Sequence, residues 1–85
     1  MINFKQQIYA AIDTYKKSNL QETKAILLEL QATPLPKAKF NVSVIYNWLE
    51  LAANKVSNQL GESDLVCMPV EPSLKRALFY LEKIQ

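Results

Sequence analysis

Residues able to do chemistry are few in this sequence and lie far apart. Cys67 is the single thiol, histidine is absent, and Glu62 with Asp64 is the closest pair of carboxylates. A thiolate needs a base or cation beside it, whereas the neighbours of Cys67 are Val66 and Met68, which favour a small buried apolar side chain. Two carboxylates also lack the ligand number of a calcium site. The sequence therefore predicts no catalytic residue, no metal site and no cofactor, and we expect a non-catalytic protein.

The basic residues do not have the arrangement typical of a nucleic-acid binder. The chain has 10 lysines and arginines against 8 acidic residues, a formal net charge of +2, and Arg76 is its only arginine. A recognition-helix motif needs a turn of about three or four residues between two helices. Here a loop with Pro34 and Pro36 separates the second and third predicted helices. We expect no nucleic-acid partner.

The elements of this chain are predicted to be helices alone, in a single domain over residues 1–85. Gly61 is the only glycine in 85 residues, whereas sheets need turns with positive φ and phosphate-binding loops need several glycines. The longest uncharged apolar stretch, Leu65 to Val70, is far shorter than the roughly 18 residues of a membrane span. With no secretory signal visible and a single cysteine, the cytoplasm is the expected compartment.

The first two helices are predicted over about residues 3–17 and 19–31. Asn3 with Gln6, and Asn19 with Glu22, have the N-cap and N3 pattern of a capping box. An apolar stripe with helical spacing follows each cap, made of Phe4, Ile8, Ala11, Ile12 and Tyr15 in the first helix and of Leu20, Ile26, Leu27 and Leu30 in the second. The stripe changes phase at Ser18, so a helical hairpin is expected.

The third and fourth helices are predicted over about residues 41–60 and 72–84. Asn41 is the expected N-cap of the third helix, Phe40 is expected to contact Ile45, and Gly61 is the expected left-handed C-cap. Pro72 is the expected first residue of the fourth helix. The predicted buried stripes are Ile45, Trp48, Leu49, Ala52 and Val56 in the third helix and Leu74, Ala77, Leu78, Leu81 and Ile84 in the fourth. Four such stripes predict an all-α, compact antiparallel four-helix bundle.

Two surfaces of this bundle have no assigned role from the helical pattern. The apolar segment at residues 65–70 is expected to be a loop folded across the bundle end, because Pro69 would interrupt strand pairing. Asn47, Glu50, Asn54 and Asn58 are expected on the polar face of the third helix, opposite its stripe. Four aromatic rings lie partly off the stripes, namely Tyr9, Tyr46, Phe79 and Tyr80. Each one alone is expected to widen the edge of the core rather than to anchor an interface. Taken together, they indicate some exposed aromatic surface that binds a protein partner or a second copy in a homodimer.

One family resemblance rests on the second half of the chain. The segment Val44-Ile45-Tyr46-Asn47-Trp48-Leu49, then Ala52-Ala53-Asn54-Lys55, then the closing stripe over 74–84, resembles the later half of the helical immunity proteins against class IIa bacteriocins, the enterocin A immunity-like family. The resemblance covers roughly residues 42–84. It implies a four-helix bundle in the cytoplasm that binds a toxin, or a toxin–receptor complex at the membrane, through its carboxyl half. The partner-binding residues expected on that basis are Arg76, Phe79, Tyr80 and Lys83.

A second resemblance leads to another class of protein. The segment Tyr15-Lys16-Lys17-Ser18-Asn19, followed by Ala25 and Leu28 and later by Ala77 and Tyr80, loosely resembles helical-hairpin repeats of the tetratricopeptide kind. Such repeats recur at about 34 residues and need about three copies, more than this chain can hold. The alternative that this resemblance leaves open is a small helical adaptor or inhibitor, phage-encoded or directed at another toxin, that binds a partner protein.

Overall fold

Four helices make up most of the described chain. The computed structural model of the protein describes residues 3–35 and 42–83. In chain order the helices are α1 (Phe4–Lys16), α2 (Leu20–Ala32), α3 (Ser43–Gln59) and α4 (Val70–Glu82). No strand is present in those two ranges, and the segment at residues 65–69 is a loop. The predicted all-α class is confirmed, and each observed boundary lies within about two residues of its prediction.

The predicted caps of the first hairpin are confirmed. The Asn3 side chain accepts a hydrogen bond from the backbone N–H of Gln6 at 3.0 Å, and that of Asn19 accepts one from the N–H of Glu22 at 3.4 Å. Each bond satisfies a donor that has no partner within its helix. Ser18 has φ +62°, and this left-handed residue reverses the chain between α1 and α2.

The ends of α3 and α4 confirm one prediction and correct another. Gly61 has φ +76°, as expected for a left-handed C-cap. The prediction that Pro72 begins the last helix is wrong, because α4 begins at Val70 and Pro72 is its third residue. A proline is tolerated there because the first-turn N–H groups have no partner within the helix. Asn41, Phe40 and Ile84 lie outside the described residues.

The helices run antiparallel to their neighbours around a ring. The packed pairs are α1–α2, α2–α3, α3–α4 and α1–α4. Ion pairs from Lys5 to Glu82 and from Lys16 to Glu71 join opposite ends of α1 and α4. The hydroxyl of Tyr46, in the first turn of α3, donates to the carbonyl of Thr33 after α2, at 2.5 Å. The radius of gyration, 12.1 Å, matches the roughly 12 Å expected of a compact chain of this length.

One core runs through all four helices. Its buried apolar residues are Phe4, Ile8, Ala11 and Ile12 from α1, Leu27 and Leu30 from α2, Ile45, Leu49, Ala52, Ala53 and Val56 from α3, and Val70, Leu74, Ala77, Leu78 and Leu81 from α4. The prediction for Trp48 needs correction, because its ring is half-buried at the edge of the core. The buried stripe of α3 is centred on Leu49 and includes Ala53, which turns Trp48 partly toward solvent. None of the described helices is long and apolar enough to cross a membrane.

Candidate functional site

One candidate binding surface lies between α1 and α4. A groove of about 420 Å³ runs between these helices, with Ile12 and Leu78 among its lining residues. Tyr9 from α1 and Phe79 from α4 also line it, and their side chains are 51% and 53% exposed. Of the four packed helix pairs, α1–α4 makes the least extensive contact, which leaves the groove open. The other lining residues are charged, namely Lys16, Glu71, Lys75 and Glu82. Exposed aromatic rings beside a groove are typical of protein-binding surfaces.

A second hollow adjoins this groove on the outer side of α4. It has a volume of about 380 Å³ and is lined by Pro72, Lys75, Arg76 and Phe79. Lys75 and Phe79 line both the hollow and the groove, so these two side chains form the ridge that separates them. Residues 72, 75, 76, 79 and 83 follow the i, i+3, i+4, i+7 and i+11 spacing of one helix face. We call Tyr9, Lys75, Arg76, Phe79 and Lys83 the α1/α4 surface.

Ion pairs connect α1 and α4 on either side of the exposed rings. Lys5 Nζ lies 3.4 Å from the Glu82 carboxylate at one end, and Lys16 Nζ lies 3.3 Å from Glu71 at the other. Lys75 Nζ also approaches Glu71, at 3.5 Å. The hydrogen bond from Lys16 holds the pKa of Glu71 below its ordinary value of 4.5, and the charges of Lys16 and Lys75 act in the same direction against desolvation.

The structure brings three of the four predicted site residues onto one exposed face. Arg76, Phe79 and Lys83 are all exposed, and Lys83 Nζ lies 4.7 Å from the centre of the Phe79 ring, within range of a cation–π interaction. Arg76 makes no hydrogen bond or ion pair with the described residues. Tyr80 differs, because it is half-buried and packs against the core while its ring edge contacts Phe79 at a centroid distance of 5.4 Å.

Tyr9 joins this surface from the other half of the chain. The sequence marked Tyr9 as an aromatic outside its stripe, but nothing local indicated that it would face the same groove as Phe79. Tyr46, which carried the same mark, instead packs edge-on against Phe4 at a centroid distance of 6.2 Å. Burial raises the pKa of the Tyr46 hydroxyl, and a hydrogen bond with the Leu35 backbone partly opposes that shift. Tyr46 thus belongs to the core edge.

A second exposed apolar surface lies on the loop between α3 and α4. Leu65, Val66 and Met68 are 59%, 82% and 43% exposed. The loop backbone lies against α3, where the Asn58 amide donates to the Leu65 carbonyl at 2.9 Å and the Asn54 amide donates to the Val66 carbonyl at 3.0 Å. The polar face that the pattern predicted at Asn54 and Asn58 therefore holds the loop. Each is half-buried because the loop covers that face.

The polar contacts of this loop also define the surroundings of Cys67. The side-chain Nδ2 of Asn58 lies 3.3 Å from Cys67 Sγ, and the Ser63 hydroxyl donates to the side-chain Oδ1 of Asn58 at 2.6 Å. The prediction of a buried thiol is corrected, since Cys67 is half-buried. Glu62 pairs with Lys24 of α2. Within residues 3–35 and 42–83, no cluster of three or more Cys, Asp or Glu side chains could hold a metal ion.

Comparison with known proteins identifies no relative of this chain. No protein-family model, no curated protein and no solved structure matches the chain. The functional argument therefore rests on the α1/α4 surface itself.

Proposed function

We propose that this protein is a non-catalytic, cytoplasmic binding protein that protects its host against a bacteriocin by binding a protein partner stoichiometrically. The observation that carries the proposal is the α1/α4 surface. There Tyr9 and Phe79 are half exposed beside the groove between the two helices, and Arg76 has no partner among the described residues. Exposed aromatic and arginine side chains are the types that contribute most to protein interfaces. The partner proposed is the toxin or its complex with a membrane receptor.

The assignment to bacteriocin immunity also rests on the resemblance of residues 42–84 to the class IIa immunity family. The four-helix bundle is consistent with that assignment, and so are the exposed Arg76 and Phe79 on its last helix and the exposed Lys83 directly after it. Such a protein needs no cofactor and no nucleophile. Protection is expected to rise with the amount of protein, and no single side chain is expected to behave as an all-or-none catalytic residue.

The test is protection in a host that is sensitive to class IIa bacteriocins. The chain is expressed at graded levels and the cells are challenged with class IIa bacteriocins and with any bacteriocin encoded beside its gene. We expect survival to increase with expression and to fall for Phe79→Ala. The matched control is Leu28→Ala on α2, because Leu28 is 51% exposed against 53% for Phe79. Unchanged killing by every toxin, with folded and abundant protein, would refute the immunity assignment.

A helical adaptor or inhibitor of another toxin or protein is the second candidate. The open groove between α1 and α4 favours it, since a groove between two helices accepts a helix from a partner without any toxin being involved. Affinity purification of the tagged chain from its own host, compared with the Phe79→Ala variant, separates the two candidates. A partner unrelated to toxins or their receptors, bound through Phe79, supports the adaptor.

A further inference from the structure

The charge of this protein is divided unequally between its two helix pairs. The side made of α1, α4 and the lysine after each helix has six basic and three acidic residues, a net charge of +3. The basic residues are Lys5, Lys16, Lys17, Lys75, Arg76 and Lys83, and the acidic residues are Asp13, Glu71 and Glu82. The side made of α2, α3 and the loop after α3 has two basic and five acidic residues among those described, a net charge of −3. The basic residues are Lys24 and Lys55, and the acidic residues are Glu22, Glu29, Glu50, Glu62 and Asp64. Lys37 and Lys39 lie outside the described residues. A partner attracted to the α1 and α4 side must be acidic.

The ion pairs locate the excess positive charge more closely. Each acid on the α1 and α4 side already has a lysine, since Asp13 pairs with Lys17 at 3.0 Å and the two glutamates pair with α1 as described above. The cations left over are Lys75, which shares Glu71 with Lys16, together with Arg76 and Lys83. Two of them lie in α4 and Lys83 directly follows it, and all three are beside Phe79. The unneutralised charge and the exposed ring therefore occupy the same face.

We propose that the α1/α4 surface binds an acidic amphipathic helix. This inference deepens the proposed function by naming the chemistry of its partner. Lys75 and Arg76 precede Lys83 by eight and seven residues, which is about 10–12 Å along the helix axis. A partner helix lying along α4 meets these charges with two acidic positions seven or eight residues apart. Between them, apolar side chains at helical spacing enter the groove and the hollow on either side of Phe79.

The test uses the full chain and an unbiased probe. Displayed random peptides of about 16 residues, long enough for four helical turns, are selected for binding to the chain. We expect enriched peptides with acidic residues seven or eight positions apart and apolar residues between them. Their affinity should weaken as salt is added. Arg76→Glu and Phe79→Ala should each weaken it at least about tenfold, the effect of a central interface residue. Leu28→Ala should leave it unchanged.

Charge reversal separates recognition from general destabilisation. A selected peptide whose acidic residues are replaced by lysine should lose binding to the natural chain and regain part of it with Arg76→Glu. No enrichment, a neutral or basic consensus, or equal binding to the Phe79→Ala and Leu28→Ala variants would overturn the inference. So would binding to phosphatidylserine vesicles that Arg76→Glu abolishes while no peptide is enriched. No bacteriocin enters this selection, so its outcome is separate from that of the protection test. If the peptides show an acidic consensus but the chain gives no protection, only the immunity assignment is rejected. If the chain protects but no acidic consensus is found, only this inference is rejected.

Discussion

Replacing Asn58 with alanine is expected to detach the apolar loop from α3. The Asn58 side chain donates to the Leu65 carbonyl at 2.9 Å and to Cys67 Sγ at 3.3 Å, and it accepts from the Ser63 hydroxyl at 2.6 Å. No other described side chain outside the loop makes as many hydrogen bonds with it. The substitution removes all three while leaving the core residues of α3 unchanged.

The magnitude follows from those contacts. The bond to the Leu65 carbonyl and the bond from the Ser63 hydroxyl each contribute about 0.5–1.5 kcal/mol net to the free energy of unfolding. The bond to the Cys67 sulfur contributes less, because sulfur is a weak acceptor. We expect the free energy of unfolding to fall by about 2 kcal/mol, or Tm to fall by about 8–16 °C in a domain of this size. Asn47→Ala is the matched control, because Asn47 is exposed on the same helix and makes no side-chain hydrogen bond with the described residues. Both changes replace Asn with Ala within α3, so the difference in helix propensity cancels.

The assay combines urea unfolding with the rate at which Cys67 reacts with a thiol reagent. Asn58→Ala should lower the stability relative to Asn47→Ala and should speed the reaction of the half-buried thiol as the loop opens. Asn58→Asp retains the acceptor for Ser63 but cannot donate to Leu65, so its stability should lie below that of Asn47→Ala as well. If Asn58→Ala and Asn47→Ala unfold within about 0.5 kcal/mol of each other with equal thiol reactivity, the loop contacts do not stabilise the protein.

Three further outcomes follow from the fold. In urea unfolding, Trp48→Ala should lower the free energy of unfolding by about 1–3 kcal/mol because the ring is half-buried. Leu49→Ala should lower it by about 2–5 kcal/mol because Leu49 is 0% exposed. The reverse order would mean that the buried stripe is centred on Trp48. Both Gly61 and Ser18 have positive φ, which glycine adopts more readily than other residues. Gly61→Ala should therefore lower the free energy of unfolding by about 1 kcal/mol, and Ser18→Gly should raise it slightly. A change in the same direction for both variants would contradict this backbone assignment. The lowered pKa of Glu71 stabilises the fold fully above pH 4.5, and this contribution is lost as the pH falls below that value. Stability of Glu71→Gln should therefore respond less to acid over that range, and unaltered pH dependence would refute an ion-pair role.

Local features of the sequence were sufficient to predict the helices. The caps at Asn3, Asn19 and Gly61 act on residues within four positions of themselves, so they can be read without any knowledge of the fold. The start of α4 was missed because a proline is acceptable anywhere in the first turn, so Pro72 does not fix which residue comes first. A pattern that several local structures satisfy equally cannot choose between them.

The candidate site could be predicted only in part. Arg76, Phe79 and Lys83 share a face of one helix, so periodicity alone groups them. Their combination with Tyr9 depends on α1 packing beside α4, which is a contact between residues about 70 positions apart in the chain. The unneutralised charge at Lys75 and Arg76 likewise depends on which lysines of α1 reach the glutamates of α4.

The sequence by itself determined an all-α chain of four amphipathic helices with few residues suited to catalysis, because these properties depend on residue types and on spacings within a few turns. Only the tertiary structure decided which edge of each stripe is buried, as for Trp48, and where the loop lies on Asn54 and Asn58. It also decided which exposed rings share a groove. Burial and juxtaposition depend on how separate helices rotate and pair, and that is fixed by packing the whole core at once.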